Sequence, residues 1–340
     1  TPARLAGVGN VAVQEVGDTS VSLWLGACDD GGSSIQDRGV CWEAVSVTWP
    51  ARDCHACGSG SDSVELSLTG LRPNTEYVAR GYAQNAVGTA YGPPTTFRTR
   101  MATPEVMTEE ISDVGARSAR CAGRLHDAGG GEVTSYGVCW SHTDEPTVEG
   151  PHLVISAPLA QGAGFEVTIP DLMPATGYLI RSFAVNDLGV GYSVADSFRT
   201  QMALPVVVTT ARAEVEGTSA RVGGLVLEEG GGQVRRRGVC WSETGQPSVE
   251  GPALDCGDGP GAFVAEVDGL RPVTRYRMRA FATNEVGSAY GEEIVVLTPM
   301  GLPSIGSMSV TANSATSARA QVSITSGGGG QVTECGVCWS

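Results

Sequence analysis

The chain of 340 residues exceeds one ordinary domain, and at roughly 100 to 150 residues each it divides into two to four. Its 47 glycines, 18 prolines and 6% aromatics argue against long helices and for many turns and short strands, an all-β composition. The net charge of −15, from 37 carboxylates against 22 cations that are all arginine, excludes a surface for nucleic-acid phosphates or anionic lipid. No apolar run reaches the ~18 residues of a membrane span. The chain begins at Thr1 without a leader pattern and reads as a piece of a longer protein, with any export signal upstream or removed.

The tetrapeptide Gly-Val-Cys-Trp occurs at Gly39 to Trp42, Gly137 to Trp140, Gly238 to Trp241 and Gly336 to Trp339, which predicts four modules: 1–99, 100–200, 201–299 and a truncated 300–340. In chain order, the second strand of each alternates apolar or small residues: Val21, Leu23, Leu25, Ala27, then Ala119, Cys121, Gly123, Leu125, then Ala220, Val222, Gly224, Val226, then Ala318, Ala320, Val322, Ile324. A glycine cluster ends it each time. The third strand carries the tetrapeptide. It puts Val40, Val138 and Val239 on one face with Trp42, Trp140 and Trp241, read as core tryptophans or as an exposed platform for sugar rings or arginines. Cys41, Cys139, Cys240 and Cys338 then point to the opposite face. The final "TECGVCWS", Thr333 to Ser340, is the third strand of the fourth copy; residues three apart on a strand face opposite ways, so Cys335 and Cys338 should not chelate one ion.

After the third strand the copies diverge, over residues 43–63, 141–163 and 242–262, where a ligand would more readily meet them. Cys41 and Cys57 share a spacing of 16 with Cys240 and Cys256, read as two disulfides or as free thiols acting as small hydrophobes. "DCHAC" at Asp53 to Cys57 offers one metal knuckle where a structural zinc site needs two. Asp29-Asp30-Gly31 and Asp255 to Gly259 read as solvated turns rather than calcium loops. No cofactor is expected.

A fifth strand leads to "GLRPNTEY", "DLMPATGY" and "GLRPVTRY", whose Tyr77, Tyr178 and Tyr276 take the place of the tyrosine corner of β-sandwiches. The sixth strand follows and ends at Asn85, Asn186 and Asn284. Its outward slots, Arg80 and Tyr82, Arg181 and Phe183, Arg279 and Phe281, form either a ligand face or cross-strand contacts. The joints repeat as Thr-x-Met-x-x-Pro, expected to be stiffened by Pro104, Pro205 and Pro303 and packed by Met101, Met202 and Met300. No catalytic constellation recurs, and the four histidines leave the third copy with none, so the segment is not read as an enzyme.

The pattern Tyr-x-apolar-x-small-x-Ala-x-Asn followed by glycine resembles fibronectin type III domains. With "GVCWS" and "N-x-x-G-x-A-Y-G" it is similar to the sub-type carried in tandem by exported and surface proteins of gut Bacteroidota. The resemblance covers essentially the whole chain; the first copy departs from it at "EAVSVTWPARDCHAC". It implies tandem immunoglobulin-like sandwiches arranged as a rod, outside the cell or on its surface. Their partners would be other domains of the same longer protein, and a host protein or glycan if the modules bind directly.

Overall fold

The computed structural model describes residues 2–45, 53–210 and 213–340, and its main strands pair antiparallel. The chain forms two compact units. One comprises Thr1–Val114, Ala119–Ile169 and Gly177–Phe198; the other comprises Gly115–Ser118, Pro170–Thr176 and Arg199–Ser340. No helix among the described residues is long and apolar enough to cross a membrane.

In the first unit, the sheet Val11–Val16, Ser20–Leu25, Val64–Thr69 faces a second sheet ordered Asp53–Ala56, Asp37–Ala44, Glu76–Asn85, Gly88–Arg98. The arrangement recurs with Glu105–Ser112, Ala119–Asp127 and Gly164–Ile169 against His152–Ile155, Ser135–Ser141, Gly177–Asn186 and Gly189–Tyr192. In the second unit, Val206–Thr209, Glu214–Glu216, Ser219–Glu228 and Gly261–Val267 face Ala253–Asp255, Arg236–Ser242, Arg275–Thr283, Ser288–Tyr290 and Ile294–Leu297. These are tandem β-sandwiches.

The alternation of each strand becomes a buried face. Val21, Leu23 and Leu25 in the first sandwich, and Ala220, Val222 and Val226 in the third, lie in the core with the valine before each Gly-Val-Cys-Trp cysteine. The glycine slots answer to particular neighbours. A Cβ on Gly123 would lie 2.5 Å from the ring of Phe165, its cross-strand partner, and one on Gly224 would lie 2.3 Å from the ring of Phe263. One small slot of the sixth strand, Gly81, is occupied by Leu25 from the facing sheet at 2.6 Å rather than by an indole. Trp42 and Trp241 are half-buried at the margin of their cores, packed against them without filling the centre, and Trp140 is likewise half-buried.

The fourth repeat departs from expectation. Ser304–Ser314 and Ser317–Ser326 form a hairpin whose apolar residues, Ile305, Met308 and Val310 among them, are exposed. Thr333 to Ser340 forms no strand. In the other three repeats the Gly-Val-Cys-Trp strand is held between a short edge strand and the sixth strand, and no described strand flanks the last copy. Without a ladder on either side its backbone groups have no partner to fix an extended conformation.

Candidate functional site

The face carrying the cysteines and the arginine–aromatic pairs is covered, which corrects its reading as an open ligand surface. Cys41, Cys139 and Cys240 are 0% exposed, Phe281 is 0%, Phe183 2% and Tyr82 9%. The cause lies in the tetrapeptide glycine. A Cβ on Gly39, Gly137 or Gly238 would lie 1.9 Å from the carbonyl oxygen of His55, Leu153 or Leu254, and 2.9 to 3.2 Å from the ring of Tyr82, Phe183 or Phe281. Only glycine lets the edge strand and the ring close over this point.

The arginines complete the cover. Arg181 donates from Nε to the Ser193 carbonyl at 2.8 Å, pairs with Glu145 at 2.8 Å and stacks 4.6 Å from the centre of Tyr192, whose hydroxyl accepts from the Val148 N–H at 3.2 Å. Arg279 repeats this, donating to the Pro247 carbonyl at 2.7 Å and stacking 3.9 Å over Tyr290, which accepts from the Val249 N–H at 3.3 Å. A guanidinium held by ring and carbonyls binds the loop after the third strand down onto the sheet. In the first sandwich Arg80 is half-buried, and Tyr82 donates to Asp37 at 2.8 Å; burial, then that carboxylate, pushes its phenol well above the usual range. The divergent stretch at 46–52 lies outside the described residues.

The cysteine pairing also needs correction. Cys41 is bonded to Cys54, and Cys57, Cys240 and Cys256 are free. Cys41 and Cys54 are direct partners across the ladder, whereas Cys57 falls opposite Arg38 and packs against the core, on the other face of the sheet. The place opposite Cys139 holds His152 and that opposite Cys240 holds Ala253, so neither later sandwich can make the bond. Burial raises the Cys139 thiol to about 11 and raises Cys240 too. The Asp-Gly turns spend their carboxylates on themselves: Asp29 accepts from the Gly31 N–H and pairs with Arg4, Asp30 accepts from the Gly32 N–H, and Asp255 accepts from the Gly257 N–H while pairing with Arg236. The Gly31 N–H first, and then Arg4, holds Asp29 below the usual carboxylate range. Among the described residues no three His, Cys, Asp or Glu side chains converge as a metal requires.

Three recurring polar residues act as clamps. Tyr77, Tyr178 and Tyr276 are buried, and the hydroxyls of Tyr77 and Tyr276 accept from the N–H of Arg72 and Arg271 at 2.8 and 2.9 Å. Thr99 and Thr298 accept from the N–H of Thr75 and Thr274 and donate to the carbonyls of Arg72 and Arg271, locking the corner to the last strand; Thr200 does the same with Thr176 and Met173. The asparagine was read from sequence only as a strand end, and it does more. Buried Asn186 donates to the carbonyls of Ala102 and Ala128 and accepts from the N–H groups of Leu188 and Gly189. Asn85 and Asn284 make the same four contacts in their own sandwiches. Each joins the incoming segment, the glycine turn and the next hairpin through one side chain.

No protein-family model matches the chain. It is 28% identical over 300 residues to the fibronectin type-III domain-containing protein 3a of Gallus gallus, an alignment spanning 81% of this chain and 22% of that protein. The chain thus spans about a fifth of the length of that relative. Among solved structures the chain matches the FN1–FN3 domains of chicken CNTN1, with 17% identity, 86% of this chain and 98% of that one covered, and a TM-score of 0.36. The recurring polar residues close loops and corners.

Proposed function

We propose that these modules, at 1–99, 100–200, 201–299 and 300–340, form a non-catalytic stalk or adhesion segment of a bacterial cell-surface or secreted protein, of the GVCWS-bearing sub-type. The observation that carries this reading is the joint. In the first unit the Ala102 N–H donates to the Gly129 carbonyl at 3.0 Å, and the Asn74 side chain donates to the Gly130 carbonyl at 2.6 Å. A Cβ on Gly130 would lie 2.4 Å from that of Asn74. In the second unit Ala203 bonds Gly230 and Gly301 bonds Gly328 in the same way, and Gly231 and Gly329 press on Pro174–Ala175 and Pro272–Val273. A Cβ on Gly131, Gly232 or Gly330 would meet the sulfur of Met101, Met202 or Met300 at 3.4, 3.2 or 2.9 Å. A binder on a flexible tether needs no such device, whereas a spacer that transmits position does.

The Cys41–Cys54 disulfide adds support for an oxidising, extracellular setting. In such a stalk three sandwiches end to end would span about 100 Å, from strands near 25 Å plus loops. Small-angle scattering tests this: a maximum dimension near that length is expected, and a compact particle refutes the stalk. Gly130→Val, whose side chain cannot fit against Asn74, is expected to broaden the distance between spin labels on the first two sandwiches; an unchanged distribution removes the joint from the argument.

A further inference from the structure

The slot two residues past each tetrapeptide tryptophan differs in every sandwich: Ala44, His142 and Glu243 follow Trp42, Trp140 and Trp241. In the second sandwich His142 lies edge-on to Tyr178 with ring centres 5.9 Å apart. In the third, the Glu243 carboxylate accepts from the Tyr276 hydroxyl at 3.2 Å and from Arg271 at 3.3 Å. Alanine fills neither role. The first sandwich accordingly has a cavity of about 280 Å³ at this place, lined among others by Trp42, Ala44, Asp53, Leu71, Arg72 and Tyr77.

Arg72 and Tyr77 are the counterparts of Arg271 and Tyr276, and the corner between them is built alike, the Arg72 N–H donating to the Tyr77 hydroxyl as the Arg271 N–H does to Tyr276. Among the described residues no carboxylate takes the place of Glu243 beside them. The third sandwich therefore shows, in its own side chain, what the first lacks. On another side the cavity carries an acceptor, exposed Asp53, the cross-strand partner of Trp42. Half-buried Trp42, opposite Asp53 in the ladder, supplies a flat apolar wall.

We propose that this cavity binds a small carboxylate ligand that also carries hydrogen-bond donors and an apolar face. The carboxylate takes the position that Glu243 holds in the third sandwich, on Arg72 and Tyr77. The ligand's hydroxyl or ammonium groups donate to Asp53, which offsets its charge and disfavours a bare anion. Its ring or side chain lies on Trp42. An acidic sugar and an amino acid both have this chemistry. The site is independent of the stalk reading, since a spacer can carry it or lack it.

The test is calorimetric titration of the whole chain with D-glucuronate and with L-phenylalanine, each beside a counterpart lacking the carboxylate, D-glucose and phenethylamine. The indole N–H resonance of Trp42 is followed in parallel. One acid is expected to bind and to shift that resonance, with its counterpart at least about tenfold weaker, the effect of losing one charge-assisted contact; which acid binds names the source. Ala44→Glu places the chain's own carboxylate in the slot and should abolish binding with the fold intact, and Arg72→Gln should weaken it about tenfold. Binding of neither acid, equal binding of acid and counterpart, or undiminished binding by Ala44→Glu overturns the proposal.

Discussion

Replacing Asn186 by alanine removes two donated and two accepted hydrogen bonds at one buried point, at lengths of 2.8, 3.0, 3.0 and 3.2 Å. It strands the carbonyls of Ala102 and Ala128 and the N–H groups of Leu188 and Gly189. A typical hydrogen bond contributes about 0.5–1.5 kcal/mol net, and stranding a buried group costs about 1–3 kcal/mol. Water reaching some of these groups brings the expected cost to about 3–5 kcal/mol. A chain of several sandwiches does not unfold in one step, so a single midpoint is the wrong measure. Hydrogen exchange resolved by peptide is the assay: opening of the second sandwich should speed by roughly two to four orders of magnitude at about 1.4 kcal/mol per decade, with the first and third unchanged. Asn186→Asp should be at least as damaging, because it points a carboxylate oxygen at two carbonyls. Exchange within a factor of about two of the parent, for either variant, refutes the clamp, since four real bonds cannot vanish at under ~0.5 kcal/mol.

Non-reducing peptide mapping should recover Cys41 linked to Cys54, with Cys57 alkylated only after unfolding; reduction should cost the first sandwich about 3 kcal/mol for a loop of this length and leave the third untouched. A native protein whose Cys54 alkylates freely contradicts this. Arg279→Lys keeps the charge but loses the planar stack on Tyr290 and the directed bond to Pro247, so residues 242–252 should exchange faster by roughly tenfold, about 1–2 kcal/mol. Unchanged protection there would show that the loop is held otherwise. The buried thiols set an alkaline limit. The Cys139 proton is lost near pH 9.0 in an unfolded chain but only near 11 in the folded one, so the native state holds more protons between these values. Its contribution is complete below pH 9 and falls as the pH rises towards 11; Cys139→Ala should flatten that part of the stability curve, and an identical slope rejects the assignment.

Period-two alternation, the corner tyrosines and the recurrence of Gly-Val-Cys-Trp made strands and repeats legible, because each depends on a residue's own geometry and its near neighbours. The covered face was not legible. Alternation showed that Cys139, Arg181 and Phe183 leave the core, but not that a second layer waits on the other side. That layer is made by an edge strand passing 1.9 Å from where a Cβ of Gly137 would be, and by a loop that Tyr192 and Arg181 bind down. The asparagine was visible as a repeat yet silent about its role, since its four partners are spread over some 80 residues of chain.

The cysteines mark the same boundary. Equal spacing suggested that Cys41 and Cys240 share partners, but a disulfide needs two Cβ atoms on one side of one ladder. Register decides that, and it places Cys54 opposite Cys41 and Ala253 opposite Cys240. By itself the amino-acid sequence determined which residues alternate, where the chain turns and what repeats, because those follow from local sterics and hydrophobic period. Which faces end up covered, which thiols meet and where a cavity remains open were decided only by strands far apart in the chain meeting in one register, which no local pattern encodes.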